Sequence, residues 1–230
     1  MCPIGPMQVD GGIVLRDVAV RYGRHVALEA VSGTFASGSL TAVVGANGAG
    51  KSTLLAAIAG TVRLTAGSVD CPARGRLAYL PQLSTIDRAW PLTVAELIAL
   101  GLWREFGPFR GAAGSRERSA AVATMVGLEG RLDRRINELS VGEFQRALFA
   151  RLILQDAAVI LLDEPFAAVD ARTTSALIDQ VTRWHAEGRT VIAVSHDLDL
   201  VRTWFPSTLV LARRCVGWGP TNAALPAMAA

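Results

Sequence analysis

Lysine is almost missing from this chain. Of its 23 basic residues only Lys51 is a lysine, and every other one is arginine. With so many alanines beside it, this bias suggests a GC-rich source genome. It also makes the one retained lysine a residue to explain, because a compact ammonium and a planar guanidinium are not interchangeable. Cysteine is scarce too. Cys2, Cys71 and Cys215 form no CxxC pair and no Cys/His cluster, which excludes a zinc-built or disulfide-built fold. Although 51% of the residues are apolar, no apolar run approaches the roughly 18 residues needed to span a bilayer. Apolar surface is therefore left for a partner to cover. Met1 to Asp10 has neither a basic start nor a long apolar stretch, so no secretory leader is expected and the protein reads as cytosolic. No block of like charges marks a nucleic-acid arm, and a net charge of +3 describes a mildly basic surface; nucleic acid is not expected as a partner.

What is present reads as one large α/β domain with an inserted lobe. Strands are expected at Ile13 to Val20, His25 to Ser32, Ser39 to Val44, Ala158 to Leu162, Val191 to Val194 and Leu209 to Arg213, with short ones at Ser68 to Val69 and Leu77 to Leu80. Helices are expected at Ser52 to Gly60, Thr93 to Leu102, Ser115 to Val126, Gly142 to Gln155 and Arg172 to Glu187, from apolar residues at helical spacing. A loop with glycine and proline is expected at Gly107 to Gly114. Strands at both ends flank a helical middle, so the boundaries fall at 13–83 and 157–220 for the core and 84–156 for the helical lobe. Residues 221–230 read as a loose tail. His25 and His185 have no motif around them and read as structural.

Two motifs carry chemistry. Gly45-Ala46-Asn47-Gly48-Ala49-Gly50-Lys51-Ser52 fits G-x-x-x-x-G-K-[ST], with a strand before it and a helix after it. Glycines let backbone N–H groups curl around an anion, and the helix adds the partial positive charge of its N-terminus. Lys51 is placed to reach the β- and γ-phosphates, and Ser52 to offer a hydroxyl to Mg²⁺. ATP with Mg²⁺ is the expected cofactor pair. The second motif is Val159-Ile160-Leu161-Leu162-Asp163-Glu164, four apolar residues and then two acids. A buried parallel strand delivers such carboxylates to the sheet edge where α/β proteins bind ligands. Asp163 suits Mg²⁺, and Glu164 suits a general base that polarises water.

A third motif decides the class. Leu139-Ser140-Val141-Gly142-Glu143, followed by Gln145-Arg146, is similar to the signature L-S-G-G-Q of the ATP-binding cassette family. The chain resembles that family over about residues 13 to 220, as a P-loop, RecA-like core with a β subdomain and an inserted α-helical subdomain. The resemblance implies that Tyr22 stacks on adenine and that Thr53 joins Gly45, Asn47, Gly48, Gly50, Lys51 and Ser52 around the nucleotide. It implies that Gln82 senses Mg²⁺ and the γ-phosphate, that His196 contacts the γ-phosphate, and that Asp170 crosses a dimer interface. It also implies that Ser140, Gly142 and Glu143 face the nucleotide of a second copy of the chain, in a head-to-tail dimer. Two positions depart from the pattern. Val141 stands for a glycine, and valine does not take positive φ cheaply. Glu143 stands for a glutamine and brings negative charge toward phosphate. A slow ATPase is the expectation.

The segment Leu80 to Val94 holds Gln82, Asp87, Trp90 and Pro91-Leu92-Thr93-Val94. It resembles the zinc/manganese/iron branch of the family's importers, as do Gly101 to Arg110, Glu164 to Asp170 and Gly217-Trp218-Gly219-Pro220. That resemblance implies a transmembrane permease subunit as partner, a periplasmic or lipoprotein metal-binding protein as an indirect one, and a place on the cytoplasmic face of the cell membrane. Zinc is the first cargo expected and manganese the second. Import of an iron chelate or cobalamin, a soluble ABC ATPase outside transport, and a non-hydrolysing scaffold are the alternatives; the joint presence of Glu164 and His196 argues against the last. Trp90, Leu92, Trp103, Phe106 and Phe109 either dock the permease or pack the lobe's own core.

Overall fold

The computed structural model describes residues 11–106, 114–167 and 169–228. Met1 to Asp10, Ala168 and residues 107–113 of the expected Gly107 to Gly114 loop, Phe109 among them, lie outside the described residues. In chain order the described elements are β1 (Ile13–Tyr22), β2 (His25–Phe35), β3 (Leu40–Val44), α1 (Lys51–Ala59), β4 (Ala66–Asp70), β5 (Leu77–Leu80), α2 (Val94–Ala99), α3 (Trp103–Phe106), α4 (Ser115–Met125) and α5 (Val141–Gln155). There follow β6 (Val159–Asp163), α6 (Ala171–Ala186), β7 (Thr190–Val194), α7 (Leu198–Trp204), β8 (Ser207–Ala212), β9 (Arg214–Pro220) and α8 (Thr221–Ala224). They fall into two compact units. The first takes the described residues of Met1–Tyr79, Ala158–Pro165 and Val181–Ala230; the second takes those of Leu80–Ala157 and Phe166–Gln180.

The first unit holds a three-stranded antiparallel sheet in the order β2-β1-β4 and a six-stranded sheet in the order β5-β6-β7-β3-β8-β9. Strands β6, β7, β3 and β8 run parallel. Every residue of β3, β6 and β7 is buried, as expected for central parallel strands covered on both faces, which read as unbroken apolar runs. On β1 burial follows the pleat: Ile13, Leu15, Val18 and Val20 are inward and the register shifts around Asp17. These residues, Leu28 and Val31 of β2 and Leu54, Leu55 and Ile58 of α1 share one core with Val43, Leu161, Ile192 and Leu209. Each such aliphatic side chain contributes roughly 1.5–3 kcal/mol of burial, so the position of α1 is fixed by apolar contacts before any ligand binds.

Two expectations need correction here. A strand not expected from the sequence, β9, runs antiparallel to β8, and Trp218 sits 4.5 Å from the ring of Phe35. The tail expected at 221–230 is helical over Thr221–Met228. Ala224 and Leu225 are buried, and Thr221 Oγ1 donates to the Phe205 carbonyl within reach of Thr208 Oγ1. The apolar residues Ala224 and Leu225 give this segment a core-facing side, which is why it docks.

In the second unit α2, α4 and α5 pack on one another. Their cores are Val94, Leu97, Ile98, Val122, Ala123, Phe144, Ala147 and Leu148. Thr93 starts α2 with a capping box: its hydroxyl accepts from the Glu96 N–H, and Glu96 accepts from the Thr93 N–H at 2.7 Å. Arg88 braces the segment ahead of α2, because its Nη2 donates to the carbonyls of Ile136 and Leu139 and its guanidinium lies 4.9 Å from the Phe144 ring centroid. Trp90 is 62% exposed and Trp103 56%, so neither packs the lobe's core. The Phe106 side chain lies outside the described residues.

Candidate active site

The phosphate loop joins the end of β3 to α1. Two of its glycines are required by space as well as by dihedral. A Cβ on Gly45 (φ +153) would lie 2.1 Å from the Leu211 carbonyl oxygen, and one on Gly50 (φ +93) would lie 2.3 Å from that of Ala27. The close backbone approach forces the loop into its curl. Gly50 caps α1 with no side-chain hydrogen bond, and no acid sits in the first turn. The first N–H groups of a helix have no acceptor within it, so this end is electropositive and uncapped, the condition for an anion site.

Lys51 is the first residue of α1 and is only 6% exposed. Its Nζ donates to the carbonyls of Gly45 at 2.8 Å and Ala46 at 2.9 Å. Burial lowers its pKa from the ordinary lysine value, while the charges of Glu164 and Asp163 pull it back up. Asn47 and Gly48 are exposed on the loop, Ser52 is exposed in the first turn of α1, and Thr53 after it is half-buried.

Asp163 closes the buried strand β6 and is 2% exposed. Its Oδ1 has no hydrogen-bond partner. Burial raises its pKa, against the pull of a hydrogen bond from Ser52 and the charges of Lys51 and His196, with Glu164 adding to the rise. Glu164 follows at φ +53, a left-handed conformation uncommon for a residue with a side chain. Its Oε1 meets His196 Nε2 at 2.5 Å. His196 stands just past β7, where Asp197 caps α7 by accepting from the N–H groups of Asp199 and Leu200. The first unit thus brings together Gly45 to Thr53, Asp163, Glu164 and His196, with Tyr22 52% exposed at the end of β1. Sequence reasoning missed Tyr79 on β5. Burial pushes its phenol up to about 12, with the charges of Asp163 and Tyr22 adding to the rise; no local pattern marks it.

Gln82, Ser140, Gly142, Glu143 and Asp170 belong to the second unit. Gln82 is half-buried, and its carbonyl accepts from the Thr85 N–H and hydroxyl. Ser140 is the N-cap of α5, and Gly142 lies within the first turn rather than ahead of it. The Ser140 hydroxyl accepts from the Glu143 N–H at 3.2 Å, which leaves its proton to donate outward. Val141 is helical at the first position of α5 and absent from the positive-φ residues. The backbone strain expected there from replacing glycine does not arise. Asp170 precedes α6 and accepts from the Thr173 N–H and hydroxyl, both at 2.9 Å, and Arg146 Nη1 donates to the same hydroxyl. These hydrogen bonds hold its carboxyl below the usual range. Within one chain Asp170 is therefore a helix cap.

The residues present fit a nucleoside triphosphate with a hard divalent cation. The glycine curl and the uncapped α1 offer backbone donors, Lys51 offers an ammonium, and the orphaned Asp163 Oδ1 beside Ser52 offers the oxygen donors that Mg²⁺ takes together with phosphates. Glu164 paired with His196 is a carboxylate held beside that edge, able to accept a proton from water.

Known proteins resemble this chain over most of its length. A family model for the ABC transporter matches residues 28–167. The chain is 34% identical over 216 residues to the manganese transport system ATP-binding protein MntB of Listeria monocytogenes, covering 90% of this chain and 90% of that protein. It is 36% identical over 211 residues to the zinc transport system ATP-binding protein TroB of Treponema pallidum, covering 88% of this chain and 79% of that protein. A dimeric bacterial ABC transporter cassette of known structure superposes with a TM-score of 0.79 at 25% identity, covering 91% of this chain and 98% of that one.

Proposed function

This chain belongs to the ABC transporter family, as its ATP-binding, ATP-hydrolysing domain, and from that premise we propose that it energises an importer for a divalent metal ion of the zinc and manganese kind. The observation that carries the cargo is the likeness to zinc and manganese transport ATP-binding proteins over about nine-tenths of the chain. With no helix among the described residues long and apolar enough to cross a membrane, the path for the ion belongs to a separate permease on whose cytoplasmic face this chain docks. The exposed Trp90 and Trp103 support a contact surface for it, since desolvating large aromatics is what anchors interfaces.

Lys51 and the curled backbone bind the β- and γ-phosphates and neutralise charge that develops on transfer. Ser52 and Asp163 would hold Mg²⁺, which would supply a positive charge to offset that of the phosphates. Glu164 takes a proton from the attacking water at its carboxylate. His196, hydrogen-bonded to Glu164 Oε1, fixes the direction of that carboxylate and presents its ring to the γ-phosphate. Tyr22 stacks on adenine, and Gln82 relays the state of the site to the permease. Ser140 and Gly142 close the site of a second copy, and Asp170 lies at that interface in addition to capping α6.

The assignment of Glu164 is tested with the assembled transporter. Glu164→Gln keeps the shape, removes the base and lowers hydrolysis by about 10²–10⁴-fold, while nucleotide binding and the dimer persist. Hydrolysis at the wild-type rate refutes the assignment. Uptake of zinc and of manganese by cells carrying the intact system, each compared with the Glu164→Gln variant, identifies the cargo; uptake of neither overturns the metal reading.

A further inference from the structure

The helix that carries the signature begins with a charge opposed to its task. Glu143 is the third residue of α5, and its Oε2 accepts from the Ser140 N–H at 2.9 Å while the Ser140 hydroxyl accepts from the Glu143 N–H. A carboxylate there steadies the helix, because it satisfies an orphan donor and opposes the dipole. For the same reason it cancels the positive potential that draws a polyanion to a helix N-terminus. Glutamine, the usual residue in the family pattern, makes the same cap without the charge.

A cation meets this carboxylate from another part of the second unit. Arg131 Nε lies 3.2 Å from Glu143 Oε1, on the oxygen not used by the cap. The Glu143 side chain is only 17% exposed, so the carboxylate is held between cap and guanidinium. Arg131 itself stands in a turn: its N–H donates to the Leu128 carbonyl and its carbonyl accepts from the Arg134 N–H. The charge of Arg134 also favours ionised Glu143, after the Ser140 hydrogen bonds and Arg131. Arg116 is turned elsewhere, to Asp133.

We propose that Arg131 is a positioning residue for the ATP-bound dimer: it neutralises Glu143 and holds it in the cap, so that the N-terminus of α5 stays attractive to the nucleotide phosphates of a second copy. This rests on the reading that Ser140 and Gly142 face that nucleotide. It implies that Glu143 and Arg131 form one functional unit, equivalent to the uncharged glutamine cap. Arg131 touches no nucleotide in this account and acts through Glu143.

The test is a double-mutant cycle on the assembled transporter, with ATPase followed against ATP concentration. Arg131→Ala exposes the carboxylate and raises KM for ATP about tenfold, within the range over which contacting residues couple, with a smaller change in kcat. In the Glu143→Gln background the same substitution changes KM by less than about twofold, because no charge is left to neutralise. Arg131→Lys, which keeps the cation, recovers most of the loss. An unchanged KM in Arg131→Ala overturns the proposal. So does an equal effect in both backgrounds, which is what a merely structural role in the turn produces. Gly142→Asp, assayed alongside, separates the two layers: full hydrolysis in that variant overturns the signature reading itself, whereas loss there combined with an equal effect of Arg131→Ala in both backgrounds overturns only the role of Arg131.

Discussion

Asp163→Asn makes the chain more stable and the site worse, and the two effects have one cause. The carboxylate is 2% exposed and one of its oxygens has no hydrogen-bond partner. Burial raises its pKa above the ordinary aspartate value of 3.8. A carboxyl whose folded pKa is raised binds its proton more tightly in the folded chain than in the unfolded one. Below the unfolded pKa both forms are protonated and nothing is lost. As pH rises through the window between the unfolded and folded values, the folded chain loses relative stability, and above the folded value the penalty is present in full. Leaving a buried acceptor unpaired costs roughly 1–3 kcal/mol. Asparagine removes the charge but keeps one carbonyl acceptor, and Lys51 loses a counter-charge that favours its ammonium. The expected net gain is therefore at the low end, about 1 kcal/mol, or about 2–4 °C in Tm for a chain of this size. Urea unfolding of the nucleotide-free chain measures it at about pH 7 and again at about pH 4, where the advantage of the variant shrinks. With Mg²⁺ and ATP present the order reverses: wild type gains stability by binding, while the variant, with cation affinity reduced about 10–100-fold, gains little. A variant less stable than wild type at neutral pH without nucleotide, or an advantage that grows on acidification, refutes the reasoning.

Gly50→Ala places a Cβ 2.3 Å from the Ala27 carbonyl oxygen and 2.8 Å from Leu28 Cδ2 at a left-handed φ, so it destabilises the first unit by about 2–4 kcal/mol in chemical denaturation; an unchanged midpoint refutes the account of the loop. Arg88→Ala deprives the Ile136 and Leu139 carbonyls of their donor and removes the contact with Phe144. It lowers thermal stability by about 2 kcal/mol, and Arg88→Lys restores only part of this because a compact ammonium lacks the planar guanidinium that lies over the Phe144 ring. Equal stability of wild type and Arg88→Ala counts against that brace.

What was legible in the sequence is what is local. The phosphate loop is a contiguous glycine pattern and β6 is an apolar run ended by acids; both can be read from consecutive residues, although the atoms that Gly45 and Gly50 must clear belong to distant Leu211 and Ala27. What was not legible depends on distant partners. The strand β9 contains Gly217, Gly219 and Pro220, a poor strand by propensity; it is held by pairing with β8 and by Trp218 against Phe35, which lies far away in sequence. The segment from Thr221 was read as a tail because it lies at the terminus, and its contacts with Phe205 and Thr208 reveal it as docked. The error at Val141 has a different origin. A glycine in a family pattern was read as a demand for positive φ, but the residue is helical and valine meets no backbone penalty there. The departure at Glu143 was read as one charge, whereas the chain holds two that meet, and the second is invisible without the fold.

The retention of lysine at position 51 can now be given a geometric reason. At position 51 the side chain is nearly buried, and its Nζ already serves the Gly45 and Ala46 carbonyls. An ammonium has three donors around one atom, so one remains for an oxygen outside the loop, and the two carbonyl bonds can be exchanged for phosphate oxygens without moving the stem. A guanidinium is wider, and its donors lie in one plane on a rigid fork. It would have to fit a side-chain position that is only 6% exposed and keep both the Gly45 and Ala46 carbonyls as acceptors. That burial and those two acceptors favour a compact ammonium over arginine at this position, in a chain that uses arginine everywhere else. The same burial lowers the pKa of Lys51, for a buried cation is costly until anions surround it. In the nucleotide-free chain Asp163 and Glu164 supply part of that charge from the end of β6. Lys51, Asp163 and the left-handed Glu164 are thus each unfavourable alone, and a polyanion with a divalent cation satisfies the first two together, which concentrates the binding free energy at the atoms where phosphate is to be transferred.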